Sequence, residues 1–276
     1  MRFLCLHGKG TSGDILKTQT CSFRPKLRSD IDFDFVDGPV TGIPSPDVKL
    51  FFEPPYYAFW DEKVTLEGIR ASHKWLLELL EKKGPYDGVL MFSQGCGFIT
   101  SFLLYHRRER PDQPLPFKTG VFICGSLPLR VLEDLEFPVP QAAYDIEDVT
   151  KRELQEKAAS LNTMELGGDR WAQPGGGTKN DARSSFDPSK PIDPQNVFGL
   201  DFTRMPPDLG IDMPTVHIYG IKDPRYPGAI QLSQFYNSDL RKTYDHQGGH
   251  EIPRQNEVSQ RIADLVEWAV SMAQSR

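Results

Sequence analysis

The chain has 276 residues, 38% of them hydrophobic, which is enough to bury a full core in one large domain. Its formal net charge is -6 with a pI near 5.6, and no basic stripe is clustered along it, which argues against nucleic acid or an anionic membrane as partner. No apolar run approaches the length of a membrane span, and Met1 to Gly8 are punctuated too early for a signal peptide, so a cytoplasmic protein is expected.

Taken in order, Phe3-Leu4-Cys5-Leu6 is a short apolar strand ended by His7-Gly8-Lys9-Gly10, and Thr11 or Ser12 can cap the helix that follows. Ile31 to Val36 alternates polar and apolar residues and stops at Asp37-Gly38-Pro39, the pattern of a half-exposed strand at a sheet edge. From Gly42 to Trp60 the chain is proline-rich and then densely aromatic. Its rings either tuck onto the core or form an apolar wall over a mouth, and in the second case Tyr56, Tyr57, Phe59 and Trp60 would touch substrate. Thr65 caps a helix running to about Lys83, closed by Gly84-Pro85.

Tyr86 to Phe92 then forms an apolar strand that breaks at Ser93-Gln94-Gly95 into a helix rich in small residues and ending in the basic run His106 to Arg110. A strand turning sharply into a helix with serine on the turn is the nucleophile elbow, which holds the hydroxyl clear of the backbone. Gly95 supplies one of the two glycines that usually flank such a serine; Met91 stands in place of the other. Gly120 to Cys124 is a further strand. Residues 127–207 are expected to be an insertion carrying a cap, with helical character from Ile146 to Leu161 and a glycine-rich, mobile stretch after Gly167; Trp171 within it is a further candidate for substrate contact. Pro214 to Gly220 and Lys242 to Asp245 are strands whose loops carry Asp223 and His250, and an amphipathic helix containing Val258, Ile262, Leu265, Val266 and Ala269 closes the chain. Alternating strands and helices predict an α/β fold, a mainly parallel sheet with helices on both faces.

In such a sheet reactive groups gather at the carboxyl ends of the strands. Serine, acid and histidine occur here in the chain order of the α/β-hydrolase triad. A serine hydroxyl is a weak nucleophile at neutral pH, so a base must take its proton, and an acid must hold the imidazole in the right tautomer. Ser93, His250 and Asp223 are assigned these roles as nucleophile, base and acid; His246 rivals His250, and Asp245 and Asp212 rival Asp223. The backbone N–H groups of Gln94 and Lys9 are the expected oxyanion donors. His7 is expected to hold its loop, His73 and His106 to lie on helix surfaces, His217 to be buried in a strand, and Cys96 to pack inside a helix. Cys5, Cys21, Cys96 and Cys124 are scattered and show no paired spacing, so reduced thiols are expected and neither a metal nor a cofactor.

Three stretches, Leu6-His7-Gly8-Lys9-Gly10-Thr11-Ser12-Gly13, Gly84 to Leu90 with Phe92-Ser93-Gln94-Gly95, and Gly248-Gly249-His250-Glu251-Ile252-Pro253, together resemble the fungal "family of serine hydrolases", related to the ovarian-cancer-associated hydrolase of animals. The aromatic loop and Val197 to Phe202 are most similar to members found with fungal polyketide synthases. The resemblance implies the α/β-hydrolase fold, the same triad and oxyanion donors, and hydrolysis of a polyketide acyl thioester, which can be delivered on an acyl carrier domain. Hydrolysis of small soluble esters or lactones, and ligand binding without catalysis, stand as alternatives.

Overall fold

The computed structural model describes residues 1–160 and 190–276. Its centre is a sheet whose inner strands are buried on both sides, so successive side chains feed two separate cores. In β1 (Arg2–Leu6), Phe3 and Cys5 join one core while Leu4 and Leu6 join the other. In β5 (Gly88–Phe92) the same division falls between Leu90 and Phe92 on one side and Val89 and Met91 on the other. Together with β2 (Asp32–Val36), β6 (Thr119–Ile123), β7 (Thr215–Tyr219) and β8 (Arg241–Asp245), they form a sheet of order β2-β1-β5-β6-β7-β8, parallel at every step. The short β3 (Val40–Thr41) and β4 (Tyr57–Ala58) pair antiparallel elsewhere. After β1 the chain adds β2 on one side, then returns to add β5 on the other. The crevice between the ends of β1 and β5 is therefore a topological switch point, where sheets of this kind bind ligands.

Helices α1 (Gly13–Gln19) and α8 (Asn256–Gln274) cover one face; α3 (Leu66–Lys83) and α4 (Gln94–Glu109) cover the other. Two of them begin on a side-chain cap. Ser12 Oγ accepts from the Ile15 amide at the start of α1, and Thr65 Oγ1 accepts from Gly68 at the start of α3. In α8, Ile262, Leu265, Val266, Ala269 and Val270 are buried at helical spacing, the larger of them contributing about 1.5–3 kcal/mol apiece to burial. A charge at Val266, which has no exposed surface, would break that packing.

The helices α2 (Pro46–Phe51), α5 (Leu129–Asp134) and α7 (Tyr226–Ser233) lie in stretches whose sequence carries no helical signal long enough to read. The segment between β6 and β7 holds α5, α6 (Gln141–Ser160) and 3-10 turns at Phe202–Arg204 and Pro207–Leu209. α6 starts five residues earlier than its apolar pattern suggests. The glycine-rich stretch from Gly167 and the candidate contact Trp171 lie outside the described residues.

Two histidines expected on helix surfaces are inside. His73 is 5% exposed and its Nε2 lies 2.8 Å from Ser101 Oγ, while His106 Nε2 takes the carbonyl of Pro114 at 3.0 Å. Helical spacing puts His73 on the same stripe as Ile69 and Leu76, and a polar partner on the facing helix makes its burial tolerable. Among the described residues no helix is long and apolar enough to cross a membrane.

Candidate active site

The turn after β5 is built by backbone geometry. Ser93 has φ 52 and ψ -113, a conformation that costs a residue with a side chain energy and that recurs at functional sites. Its amide still extends the sheet by one bond, to Ile123 O at 2.9 Å, after which the chain swings directly into α4. That swing needs close approach. A Cβ on Gly95 would lie 2.5 Å from Leu6 O, so the elbow sits against the end of β1 only because glycine stands there. Met91 creates no such conflict. It is fully buried in β5, opposite Leu6 and Phe122 in the register, and packs in the α3/α4 core with Cys96. A Cβ on Gly125 would come within 2.5 Å of Cys96 Cβ, so the first turn of α4 lies close against the end of β6.

Three strand ends converge on the serine. His250 Nε2 is 2.9 Å from Ser93 Oγ, and His250 Nδ1 is 2.8 Å from Asp223 Oδ2. Asp223 has no exposed side-chain surface, while His250 is 11% exposed at the cleft. The second carboxylate oxygen of Asp223 accepts from the Arg225 amide at 2.7 Å, so both oxygens are held and the carboxylate cannot rotate away from the imidazole. The ring of Phe92 lies 5.3 Å from that of His250 and shields it from below.

The rival residues have other work. His246 Nδ1 accepts from the Gly248 amide, and burial pushes its pKa down. Asp245 Oδ1 accepts from the amides of Ile221 and Gln247 and so fixes the two neighbouring loops, and Asp212 accepts from Asn237. Cys96 is buried in the first turn of α4, with Sγ bonded to Ile123 O and its pKa driven upward by burial. His7 Nε2 accepts from the Gly38 amide at 2.9 Å and its Nδ1 faces Gly8 O at 2.7 Å, so the ring is neutral, with its proton on Nδ1, and ties the β1–α1 loop to the end of β2. Among the described residues Cys124, Asp223 and His250 have donor atoms within 4.8 Å of one another, as a metal site would. Asp223 and His250 already bond each other, and burial raises the pKa of the Cys124 thiol, so this cluster holds a protonated sulfur in place of a thiolate ligand.

Lys9 and Gln94 both line the cleft next to Ser93. Gln94 is the first residue of α4, where backbone N–H groups have no partner within the helix and point out of its end. Its side chain is occupied elsewhere, Oε1 accepting from the Phe59 amide at 2.9 Å. The Lys9 ammonium pairs with Glu62 Oε1 at 2.5 Å, and Glu62 also lines the cleft. A Cβ on Gly8 would lie 3.4 Å from Ser93 Cβ, so this loop and the elbow are in contact.

The aromatic stretch divides in a way its composition does not reveal. Phe59 has no exposed surface and stacks on Phe98 with ring centroids 4.5 Å apart, so it is a core residue and not a substrate contact. Tyr57 is also displaced from the cleft: its backbone bridges to Thr11 and accepts from Gly10, making it the tether of the β1–α1 loop. Tyr56 turns its hydroxyl back to Phe52 O and does not line the cleft either. Of the four described candidates, Trp60 alone lines it. Other apolar wall residues, not named as candidate contacts from the sequence, include Val48 and Phe51 of α2, Phe52 just after it, and Leu129, Leu154 and Ala158 of α5 and α6. The cleft has a volume of about 1130 Å³ and runs from Ser93 between α2 and α6. Ser126 and Arg225 also line it. Ser126 follows a strand end, a signal that was available; Arg225 has none.

Set against known proteins, residues 1–262 match the family model described as "Serine hydrolase (FSH1)". The chain is 27% identical to the hydrolase FUB4 of Fusarium oxysporum, over 99% of this chain and 100% of the relative. It is 27% identical to the esterase alnB of Emericella nidulans, over 100% of this chain and 98% of the relative. Among solved structures it resembles YahD, crystallised with malic acid, at 11% identity over 98% and 93% of the two chains with a TM-score of 0.50, a likeness of fold. A carboxylesterase of Bacillus cereus is similar at 13% identity over 98% and 87%, with a TM-score of 0.48.

Proposed function

The chain belongs to the FSH1 family of serine hydrolases, and from that premise we propose that it hydrolyses a polyketide acyl thioester, releasing or editing the product of a polyketide synthase. Ser93 Oγ attacks the acyl carbon while His250 Nε2 takes its proton, and the oxyanion is met by the amides of Gln94 and Lys9. Asp223 stabilises the imidazolium through Nδ1. The protonated His250 then gives that proton to the departing thiolate, leaving an ester on Ser93. Water, deprotonated by the same imidazole, attacks this ester, and the carboxylic acid leaves as the serine hydroxyl is restored.

The observation that carries the acyl thioester reading is the size and lining of the cleft. At about 1130 Å³ it exceeds the usual range for small-ligand pockets of roughly 300–1,000 Å³, and its α2 and α6 walls offer apolar surface along a long path. Residues 127–207 serve in this reading as a cap within a single α/β-hydrolase domain, α6 being its wall. An acyl carrier domain is the natural donor, and a cytoplasmic setting agrees with the free cysteines. Against the reading of an inactive binding protein stands the accommodation of Met91, which leaves the Ser93–His250 distance at 2.9 Å.

The name of the curated relative alnB, an esterase, favours hydrolysis of small esters as the second reading. Steady-state rates on a series of acyl thioesters of increasing chain length, beside p-nitrophenyl esters of the same acids, separate the two. The first reading expects kcat/KM to rise with chain length and to be highest for thioesters presented on a carrier domain. A maximum at two to four carbons on oxygen esters would replace it with the second.

A further inference from the structure

Arg225 is the least expected residue in the cleft. It is 7% exposed, lies two residues after the triad acid, and its backbone amide is spent on Asp223. Its Nη1 donates to Glu147 O at 3.1 Å and Thr150 Oγ1 at 2.8 Å, and its Nη2 donates to Ser126 Oγ at 3.0 Å. A guanidinium has five N–H donors. Three therefore have acceptors among the described residues and two do not. Ser126 Oγ accepts from Arg225, and among the described residues no acceptor takes its own hydrogen, so the two bonded residues that line the same cleft hold a hydroxyl donor and surplus N–H groups between them.

Charge points the same way. The Glu147 carboxylate stands 3.8 Å from Arg225 Nη2 and pairs more closely with Lys151 at 3.0 Å, while Asp223 is committed to His250. Arg225 is thus a buried cation whose ion pair with Glu147 is long and shared with the half-exposed Lys151, and burial pushes its pKa downward against the opposing charges of Glu147, Asp223 and Asp148. A buried cation with incomplete compensation is costly unless an acceptor completes it. The place is close to the chemistry: a Cβ on Gly97, in the first turn of α4 after Ser93, would lie 2.3 Å from Ser126 O.

We propose that Ser126 and Arg225 form an oxygen-acceptor subsite, which takes an oxo or carboxylate oxygen borne by the acyl chain near its scissile carbonyl. This rests on the serine hydrolase reading above and narrows it, because a plain hydrocarbon chain would leave these donors unpaired and desolvated. A site built to hydrogen-bond a substrate oxygen discriminates strongly against the analogue that lacks it. The acceptor can be a neutral ketone or an anion, and the test separates them.

The test compares kcat/KM for the N-acetylcysteamine thioesters of butanoate, 3-oxobutanoate and succinate on the wild type, Ser126→Ala and Arg225→Lys, with thermal melts to establish that each variant is folded. The expected result is a wild-type preference of at least about tenfold for one oxygen-bearing chain over butanoate, with that ratio falling toward one in both variants. Preference for the 3-oxo chain identifies a neutral acceptor, and preference for the succinyl chain an anionic one. If Arg225→Lys does not fold, Ser126→Ala, which removes only a hydroxyl, gives the ratio alone. A wild-type ratio near one, or a ratio that Ser126→Ala leaves unchanged, overturns the subsite while leaving the hydrolase intact. Absence of any Ser93-dependent turnover would instead remove the underlying reading, and this one with it.

Discussion

The two halves of the cleft are made by different means. The reacting half stands on the ends of parallel strands, where Ser93, Asp223 and His250 are placed by the sheet and by backbone bonds that leave no freedom. The receiving half is made of connections, α2 on one side and α5 and α6 on the other, and its residues are set by how those connections fold back. In the function proposed above, chemistry follows from topology and specificity from the loops that topology leaves free. Damage to the first half should therefore abolish all activity alike, whereas damage to the second should change which substrates are turned over.

The largest effects are expected on the strand ends. Asp223→Asn should lower kcat by about 10⁴-fold by letting the imidazole adopt the wrong tautomer, and Ser93→Ala by at least as much, for every substrate in a thioester series. A substrate-dependent loss in Asp223→Asn would break the division proposed here. Next comes the elbow. Gly95→Ala forces a methyl group to within 2.5 Å of a backbone carbonyl, and should cost about 1–3 kcal/mol in urea unfolding together with loss of activity.

Smaller and selective effects belong to the walls. Trp60→Ala and Leu154→Ala each remove about 1–2 kcal/mol of apolar contact available to a long chain, so KM for a long acyl thioester should rise about tenfold with little change for an acetyl substrate. Equal effects on both chain lengths would show that these residues support the site and do not receive the acyl group. The scaffold's response to pH leaves the choice of substrate untouched and acts on stability alone. Burial lowers the pKa of His73 to about 3 and also lowers those of His7, His217 and His246. All four are neutral in the folded chain and take up protons more readily when it unfolds. Their contribution is complete above about pH 6.5 and is lost as the pH falls, and for His73 the loss continues down to about 3 with a slope of about 1.4 kcal/mol per pH unit. Thermal melts from pH 7.5 to 5 should show a falling Tm, less steeply in His73→Gln; an unchanged slope in that variant would locate the effect elsewhere.

The same division explains what could be read from the amino acids alone. Strand periodicity, punctuating glycines and the order serine, acid, histidine are local signals, and they suffice for the parallel sheet and for the three strand ends that meet at Ser93. Which aromatic rings face the cleft is not local. Phe59 and Trp60 are adjacent and chemically alike, yet Phe59 is claimed by Phe98 across the core while Trp60 also reaches the cleft, and nothing in their own sequence distinguishes them. Arg225 illustrates the same limit: its three side-chain acceptors, on Ser126, Glu147 and Thr150, are 75 to 99 residues away along the chain. His73 is the intermediate case, for its stripe along α3 was legible but its partner Ser101 on α4 was not.

The most direct test of the central claim is the mass of the intact protein after exposure to a fluorophosphonate. An acyl-enzyme mechanism at Ser93 requires a single covalent adduct on the peptide that contains this serine, formed by the wild type and absent from Ser93→Ala. A folded wild-type protein that acquires no adduct, or acquires it equally after Ser93→Ala, would contradict the account.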